Sequence, residues 1–390
     1  MFLNYLIGNI LYFFSYFIPK SKKIWVFGSW GGQQFADNPK YFYSYVNKQK
    51  DIKPIWLSKN KNLISKLNAK GLLAFHTYSF LGIWYSSRAS VGVVSHGLVD
   101  LNRYACARMK IVQTWHGIPM KPVLLSDKKE HAIKKRKILL KMMFFFPFLK
   151  KELLFDRSLI ICSSSSHVKE LLRKVFGNRS PLYNVGFPRL DGLFKTVNNN
   201  LICKEIISFK SEGYQVGVYM PTYRRKGEFD IISFLVKNKS KIEDQLIESK
   251  SILYLKVHPF DYFKIKDTFD SELIRIISNE EINNDIYEIL ECFDFLVSDY
   301  SSIVFDFLVL VKPIYLLVPD RESYISSNGD FVYDYLSIDL PVVKSWTELL
   351  LLIQNKREIK NLENISSKYH LNKDGNNSER LYNEIIKKLN

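Results

Sequence analysis

The sequence has few of the residues that cross-link a fold or hold a metal. Its four cysteines, Cys106, Cys162, Cys203 and Cys292, are scattered singly, with no C-x-x-C pair and no spacing typical of a metal site. We therefore interpret all four as small buried apolar side chains in a reducing compartment. Clustered carboxylate pairs are also missing, so no cofactor is firmly predicted, although Asp299 and Asp306 leave a divalent cation possible.

Acidic residues are scarce relative to basic ones. Lys and Arg total 56 against 39 Asp and Glu, which gives a net charge of +17 over 390 residues. Such an excess favours an anionic partner, whether nucleic acid, anionic lipid or a phosphorylated substrate. The chain has no helix-turn-helix, RRM or OB signature, and its excess charge lies beside aromatic apolar runs. Lipid and phosphate are therefore favoured, and no nucleic-acid partner is expected.

The apolar N-terminus lacks the marks of a signal peptide. No basic segment precedes it, and no small-x-small cleavage site follows it. Asn4 and Asn9 interrupt the run, which is short for a transmembrane helix. An in-plane anchor, with Lys20, Lys22 and Lys23 on anionic headgroups, fits as well or better, and a buried first helix is the remaining alternative. We expect residues 1–23 to associate with the membrane and the chain to lie at its cytoplasmic face, peripheral or monotopic.

A second stretch, near residues 128–155, places many basic residues beside Met and Phe, in the order KKEHAIKKRKILLKMMFFFPFLKKELLF. Bulky apolar side chains next to Lys and Arg are typical of elements that contact a membrane surface. A buried core helix is the alternative, because a merely solvated face would not need so many aromatic rings. The stretch predicts contact with an anionic membrane surface.

Apolar β-type runs alternate with helical segments along the whole chain. The runs IWVFGSW, KPIWLS, LLAFH, SVGVVS and KIVQTWHG in the first half are matched by QVGVYMPT, SILYLKVHP, IRIIS, FDFLVSDYSS and KPIYLLV in the second. This alternation is typical of α/β domains with parallel sheets. We predict two Rossmann-like domains facing across a cleft, 24–195 and 205–390, joined by the polar stretch after Lys195, with ligands at the carboxyl ends of the strands.

The motif TWHGIPMK places His116 directly after an apolar strand, where Gly117 and Pro119 prevent the strand from continuing. An imidazole titrates near neutral pH, which suits a general base acting on a hydroxyl. Lys121 follows closely enough to meet a phosphate. For this motif taken alone, a structural histidine is an equal alternative.

Three more motifs end strands in the second half. KVHP places Lys256 and His258 at a strand end. SDYSSIVFDF gives Ser301 and Ser302 before an apolar run, where hydroxyls and free N–H groups would bind an anion, or where a serine would simply cap a helix. PTYRRK adds Thr222, Arg224 and Arg225, which suit phosphate unless they form a solvated basic loop.

The ordered motifs TWHGIPMK, NVGFPRLD, YMPTYR, KVHP, SDYSSIVFDF and KPIYLL resemble those of the CDP-glycerol glycerophosphotransferase family of teichoic acid primases, polymerases and related capsule enzymes. The early segment GGQQFADNPKYFYSYV also looks like that family. The resemblance runs from about Ile24 to Leu317, and it departs from the usual pattern at Ile118 and near Leu125, on the acceptor side. A single catalytic unit is closer to the short primase-like or capsule members than to the long polymerases.

The resemblance implies a GT-B-like fold that binds the CDP donor mainly through its C-terminal half. It implies transfer of glycerol phosphate, or a related polyol phosphate, from CDP-glycerol or another CDP-polyol to a polyprenyl-diphosphate-linked saccharide acceptor, with release of CMP. The implied roles are a general base, His116; diphosphate ligands, His258, Ser301 and Ser302; donor-phosphate ligands, Thr222 and Arg224; a ribose neighbour, Asp306; and the acceptor or phosphate side, Lys121 and Asp127. Phosphoryl transfer depends mostly on positioning and charge stabilisation, which these groups supply.

Two other functions are open. A GT-B glycosyltransferase using a nucleotide sugar would share the fold and differ in its donor. A basic nucleic-acid-binding protein is the alternative from another class, and the clustering of charge beside aromatic runs disfavours it. The sequence does not distinguish glycerol from ribitol, single addition from polymerisation, or one oligomeric state from another.

Overall fold

The computed structural model describes residues 2–120, 158–195, 200–224, 228–266, 271–282, 285–331, 333, 335–355 and 359–390. The predicted membrane stretch 128–155, both acceptor-side residues Lys121 and Asp127, Arg225, and the first part of the predicted linker lie outside the described residues.

Strands and helices alternate along the chain as the sequence predicts. The strands are β1 Ser21–Phe27, β2 Lys53–Ser58, β3 Ala74–His76, β4 Ala89–Val94, β5 Lys110–Gln113, β6 Ile160–Cys162, β7 Leu182–Tyr183, β8 Gln215–Met220, β9 Ser251–Leu255, β10 Ile274–Ile276, β11 Phe295–Ser298, β12 Ile314–Leu317 and β13 Val342–Val343. The helices are α1 Phe2–Phe17, α2 Asp37–Val46, α3 Lys61–Ala69, α4 Phe80–Arg88, α5 Ser166–Phe176, α6 Leu201–Ser211, α7 Ile231–Glu248, α8 Pro259–Ile265, α9 Ile303–Phe307, α10 Arg321–Asn328, α11 Trp346–Gln354, α12 Leu362–Tyr369 and α13 Asn377–Leu389.

The described residues form two compact units. Unit 1 comprises those within Met1–His116, Leu124–Gly192 and Asp374–Asn390, and unit 2 comprises those within Gly117–Val123 and Leu193–Lys373. The sequence did not anticipate that the last helix belongs to unit 1, because an amphipathic helix carries no mark of the sheet on which it packs.

The sheet of unit 1 has the order β3-β2-β1-β4-β5-β6-β7 in the described part of the chain, and every neighbouring pair is parallel. Its central strand β4, ASVGVV, is buried at every position, as expected of a strand covered on both faces. The register pairs Val94 of β4 with Gln113 of β5. The residues that follow these two strands therefore emerge side by side.

The sheet of unit 2 has the order β10-β9-β8-β11-β12-β13, again with parallel neighbours among the described strands. Its core packs the long helix α7 against α11 and the strands, with Trp346 and Tyr219 among the buried rings. β9, β8 and β11 are adjacent, so their carboxyl ends meet at one edge of this sheet. The prediction of an α/β fold with two parallel sheets is confirmed, and it is consistent with a GT-B-like architecture.

The NVGFPRLD motif explains how the last helix is held in unit 1. Asp191 accepts hydrogen bonds from the backbone N–H groups of Asn377 (2.9 Å) and Ser378 (2.8 Å), at the start of α13. A carboxylate at this position satisfies donors that a helix leaves free at its N-terminus and complements the helix dipole. Gly186 permits the approach, since a Cβ there would lie 1.9 Å from the Asn377 side-chain oxygen.

Helix α1 lies on unit 1 with an exposed apolar face. One side docks closely, since a Cβ at Gly8 would lie 2.4 Å from the Tyr104 ring, and the buried Ser15 hydroxyl accepts the Ala107 N–H. The opposite side exposes bulky residues at helical spacing: Ile7, Ile10, Phe13, Phe14 and Phe17. This arrangement excludes the alternative of a fully buried first helix. None of the described helices combines the length and apolarity needed to cross a membrane.

Two local predictions were wrong. Cys203 forms a disulfide with Cys292, 89 residues away, whereas Cys106 and Cys162 are buried as expected. Spacing cannot reveal such a pair, because the two cysteines meet only when α6 packs beside the segment before β11. That segment, NDIYEILECF, was predicted as a helix and instead forms short 3-10 turns, Ile286–Glu288 and Leu290–Cys292. The Lys312 ammonium donates to the Glu291 and Phe293 carbonyl oxygens there.

Candidate active site

Each unit carries a polar cluster at the carboxyl edge of its own sheet. In unit 1, His116 follows β5, and in unit 2, Thr222, His258 and Ser301 follow β8, β9 and β11. Open parallel sheets bind ligands at this edge, and the sequence motifs predict a ligand site there for the same reason.

The turn that carries His116 has an unfavourable backbone conformation. Trp115 has φ +59°, a left-handed value that costs a bulky residue about 1–2 kcal/mol. Its backbone N–H donates to the Gln113 side-chain oxygen at 3.0 Å, and its ring packs against Phe176. A conformation of this kind persists only where surrounding contacts hold it. Here those contacts come from two distant segments of unit 1.

Asn38 and Arg189 clamp the His116 turn. The buried Asn38 amide donates to the carbonyl oxygens of Trp115 (2.8 Å) and Thr114 (3.3 Å), and its own oxygen accepts the Arg189 N–H (3.0 Å). The Arg189 guanidinium donates to the His116 carbonyl oxygen (2.8 Å) and to Asp37 (2.9 Å) in a buried ion pair. The family-like segments ADNPK and FPRLD therefore both act on this one turn.

A second histidine lies directly on His116. The rings of His96 and His116 are stacked, with centroids 4.5 Å apart and an interplanar angle of 4°. Asp100 holds the loop that carries His96, since its carboxylate accepts backbone N–H groups of Gly31 (2.7 Å), Ser95 (2.8 Å) and His96 (2.8 Å). Burial raises the pKa of Asp100, and these donors oppose the rise.

The surroundings of His116 favour its neutral form. Burial lowers its pKa to about 4, and the neighbouring His96 and Arg189 contribute in the same direction, whereas Asp37 opposes them. Nδ1 of His116 lies 3.5 Å from the Ser95 carbonyl oxygen, at the limit of a hydrogen bond. The ring is only partly exposed. A neutral imidazole on a fixed turn can accept a proton from a hydroxyl at pH 7.

In unit 2 the predicted donor-side residues share one sheet edge. Thr222 follows β8, and both its N–H (2.8 Å) and its hydroxyl (2.6 Å) donate to one oxygen of Asp299, which follows β11. His258 follows β9, is exposed, and packs against the Tyr223 ring at 4.5 Å. Burial lowers the pKa of His258, with Asp261 opposing. Its neighbour Lys256 donates to Asn279 (2.6 Å), and burial lowers the pKa of Lys256 to about 8.

Arg224 is enclosed by protein acceptors. Its guanidinium donates to Asp320 (2.8 and 3.1 Å), to Asp299 (2.8 Å) and to the Thr222 carbonyl oxygen (2.7 Å), and its side chain is 3% exposed. These bonds use four of the five N–H groups that a guanidinium offers, so one is left without a hydrogen bond to the described residues. The geometry makes Arg224 mainly a residue that positions Thr222 and Asp299. Its contact with donor phosphates stays a prediction.

The serine hydroxyls of the SDYSS segment contribute little to capping α9. Ser302 precedes α9, and its side chain makes no capping hydrogen bond to the helix, while the Ser301 hydroxyl accepts the Ile303 N–H at a long 3.4 Å. The predicted ribose neighbour Asp306 is buried within α9 and accepts a 2.7 Å hydrogen bond from the Tyr287 hydroxyl. Its role towards a ribose stays a prediction.

Asp299 and Asp306, the carboxylates considered for a cation, are thus engaged with Thr222, Arg224 and Tyr287. Among the described residues, no group of three or more His, Cys, Asp or Glu side chains is arranged to hold a metal ion.

The sequence patterns did not reveal the residues that hold the His116 turn or support its ring: Asp37, Asn38, His96, Asp100 and Arg189. Asp37 and Asn38 lie in ADNPK, and Arg189 lies in FPRLD. Both segments resemble the family, and that resemblance was the available signal. His96 and Asp100 follow β4 and had the same strand-end placement that singled out His116. The sequence alone did not show that β4 and β5 are adjacent.

Comparisons with known proteins agree with one another. A family model described as CDP-glycerol:poly(glycerophosphate) glycerophosphotransferase matches residues 10–387. A teichoic acid poly(glycerol phosphate) polymerase from Bacillus spizizenii is 28% identical over 386 residues, 95% of this chain and 93% of that protein. A teichoic acid glycerol-phosphate transferase from Staphylococcus aureus is 26% identical, covering 94% of each chain. Longer polymerases from Bacillus subtilis and Staphylococcus epidermidis match over 44% and 46% of their length.

Among solved structures, the wall teichoic acid polymerase TagF superposes with a TM-score of 0.73 at 20% identity, covering 99% of this chain and 96% of that one. At this identity the likeness establishes the fold.

Proposed function

The chain belongs to the CDP-glycerol:poly(glycerophosphate) glycerophosphotransferase family, and from that premise we propose that it transfers glycerol phosphate from CDP-glycerol to a polyprenyl-diphosphate-linked teichoic acid or capsule precursor. It is thus an enzyme of the glycerophosphotransferase class. In the proposed step an acceptor hydroxyl attacks the β-phosphorus of the donor. The bond between that phosphorus and the bridging oxygen breaks, and CMP leaves with the oxygen and its electron pair.

The observation that carries this proposal is the state of His116. The Asn38 and Arg189 clamp holds the backbone of its turn, His96 stacks on its ring, and its lowered pKa keeps it neutral at pH 7. A neutral, fixed imidazole suits removal of the acceptor hydroxyl proton as the new phosphorus–oxygen bond forms. His116 is therefore the proposed general base.

The donor side is proposed for unit 2. His258, Ser301 and Ser302 follow adjacent strands, and their side chains are proposed to meet the diphosphate at this edge. Thr222 lies at the same edge, where its N–H and hydroxyl donate to Asp299. Arg224 supports them by holding Thr222 and Asp299. Such groups stabilise charge that develops on the phosphoryl oxygens. Lys121 and Asp127 remain proposed for the acceptor or phosphate side, outside the described residues.

The proposed place of action is the cytoplasmic face of the cell membrane. Support comes from the apolar face of α1, where the Phe13 and Phe17 side chains are 60% and 63% exposed. Lys22 and Lys23 lie at the start of β1, shortly after α1 ends at Phe17, and both are exposed. Their charges suit anionic headgroups around an in-plane helix. A peripheral enzyme held in this way would meet an acceptor that is itself anchored in lipid.

The test is a donor screen with the full chain and a lipid-linked acceptor. CDP-glycerol, CDP-ribitol and nucleotide sugars are offered in parallel, and release of CMP or of a nucleoside diphosphate is measured. We expect acceptor-dependent CMP release with CDP-glycerol and its loss in His116→Ala, with the circular dichroism spectrum retained. Turnover of a nucleotide sugar alone would support a GT-B glycosyltransferase instead. Full activity of His116→Ala would remove the general base from the proposal.

A further inference from the structure

His96 and His116 are brought together by the register of unit 1. β4 and β5 are adjacent and parallel, with Val94 opposite Gln113. The chain then continues two residues to His96 from one strand and three residues to His116 from the other. The two imidazoles meet face to face, 4.5 Å between centroids and 4° from parallel. This is a stacked arrangement of the kind that aromatic rings prefer, and each ring restricts the plane of the other.

The His96 side of the stack is fixed from several directions. The backbone N–H of His96 donates to Asp100 at 2.8 Å, and Nδ1 of its ring lies 2.8 Å from the Ser95 hydroxyl. The Trp30 ring packs against His96 with centroids 4.9 Å apart. Since Asp100 also accepts from Gly31 and Ser95, the loops after β1 and β4 form one support. His96 therefore presents a rigid surface to the ring of His116.

Three titratable or charged groups of the described residues act on the pKa of His116. His96 faces it from the loop after β4, Asp37 from the start of α2, and Arg189 from the segment after β7. His96 and Arg189 oppose a positive charge on His116, and Asp37 favours one. A positive charge on His96 at this separation disfavours protonation of His116. Removing the His96 side chain would expose one face of the His116 ring. It would also remove one group that opposes a positive charge on His116.

We infer that His96 is a positioning residue for His116: by stacking on it, His96 fixes the plane of the His116 ring and excludes water and a proton from one face. The catalytic part of this inference rests on the proposed role of His116 as general base, and the stacking part does not. His96 contacts no reacting atom in this role. It acts through His116 alone.

The test compares His96→Ala, which removes the ring, with His96→Phe, which keeps a stacking surface without a titratable group. The titration of His116 is followed by NMR of labelled histidine side chains, with His116→Gln to assign its signal. We expect the His116 pKa to rise by about one unit or more in His96→Ala, because burial and repulsion both decrease. We expect kcat for CMP release to fall about tenfold or more, with KM for CDP-glycerol within about twofold, since loss of orientation acts on the chemical step.

His96→Phe should recover most of kcat and keep the His116 signal shielded by a stacked ring. The matched control is His76→Ala, which removes another strand-end histidine of the same sheet, on β3, and should leave the titration and kcat unchanged. An unchanged His116 titration and pH profile in His96→Ala would overturn the inference, as would a His96→Phe variant no better than His96→Ala. If His96→Ala shifts the titration but His116→Ala keeps full activity, the stack stands and the proposed role of His116 as general base fails.

Discussion

Replacing Asn38 by alanine tests whether the clamp holds the His116 turn. Asn38 is fully buried, and its side chain makes three hydrogen bonds, to the Trp115 and Thr114 carbonyl oxygens and from the Arg189 N–H. Alanine keeps the α2 helix, because it is a good helix former, but it leaves these three backbone groups without their partner. It also frees Trp115 to leave its left-handed conformation.

The size of the effect follows from those bonds. A buried backbone group left unpaired costs about 1–3 kcal/mol, and the long 3.3 Å bond to Thr114 contributes least. We expect the free energy of unfolding to fall by about 2–5 kcal/mol, after some relief as Trp115 relaxes. Because His116 follows Trp115 directly, we also expect kcat to fall about 100-fold, which is the effect of a displacement of about 1 Å.

Urea unfolding followed by tryptophan fluorescence suits this measurement, since every tryptophan except Trp346 lies in unit 1. The matched control is Asn68→Ala. Asn68 also joins two backbone groups, at 3.1 and 3.0 Å, but at the end of α3, away from the His116 turn. We expect it to lose about 1–3 kcal/mol with kcat unchanged. A folded Asn38→Ala protein with kcat within twofold of the parent would refute the clamp.

Three further predictions concern other parts of the molecule. Because the pKa of His116 is lowered to about 4, kcat/KM should fall as the pH drops through about 4 and not near the ordinary value of 6.5. In the unfolded chain His116 binds its proton at the ordinary pKa, before the folded protein does. The free energy of unfolding should therefore fall by about 3 kcal/mol as the pH drops from 6.5 to 4. Arg224→Met leaves two buried carboxylates without their cation and should cost about 3–5 kcal/mol in urea unfolding. Phe13→Ser with Phe17→Ser should lower binding to phosphatidylglycerol-containing vesicles about tenfold or more, measured by sedimentation, with turnover on a soluble acceptor retained.

Each of these has a control in the same chain. His116→Gln should lose the stability change between pH 6.5 and 4, and its persistence would assign the proton to another group. Arg275→Met removes a half-exposed pair with Glu205 and should cost at most about 1 kcal/mol; an equal loss in both arginine variants would contradict the role of burial. Ile207→Ser removes an exposed apolar residue of α6 in unit 2, and equal vesicle binding by it and the double phenylalanine variant would locate the membrane contact elsewhere.

The strands were readable because parallel sheets covered on both faces need continuous apolar runs. β2, Lys53–Ser58, coincides with the run KPIWLS, and β8 and β9 begin at the first residues of QVGVYMPT and SILYLKVHP. β13, Val342–Val343, was missed because two residues at a sheet edge give no period. The helix expected at NDIYEILECF was wrong, since this segment forms two short 3-10 turns, Ile286–Glu288 and Leu290–Cys292.

The positions of the polar motif residues could also be predicted from short segments of sequence. A strand that ends in His, Thr or Ser before Gly, Pro or a helix is recognisable without a fold, and this placed His116, Thr222, His258 and Ser301 at sheet edges. Sequence alone determined these positions and, through the order of the motifs, the family. It could not assign partners, because hydrogen bonds across 75 to 151 residues leave no local pattern.

Only the tertiary structure showed which partners each polar residue contacts. It placed Arg224 at the centre of a buried ion network, because Asp299 and Asp320 approach it from two other strand ends. It joined Cys203 to Cys292 and packed the last helix on Asp191. It also stacked His96 on His116, since only the adjacency of β4 and β5 brings the two rings together. The sequence identified a histidine; the fold supplied the neighbours that keep it neutral and in place.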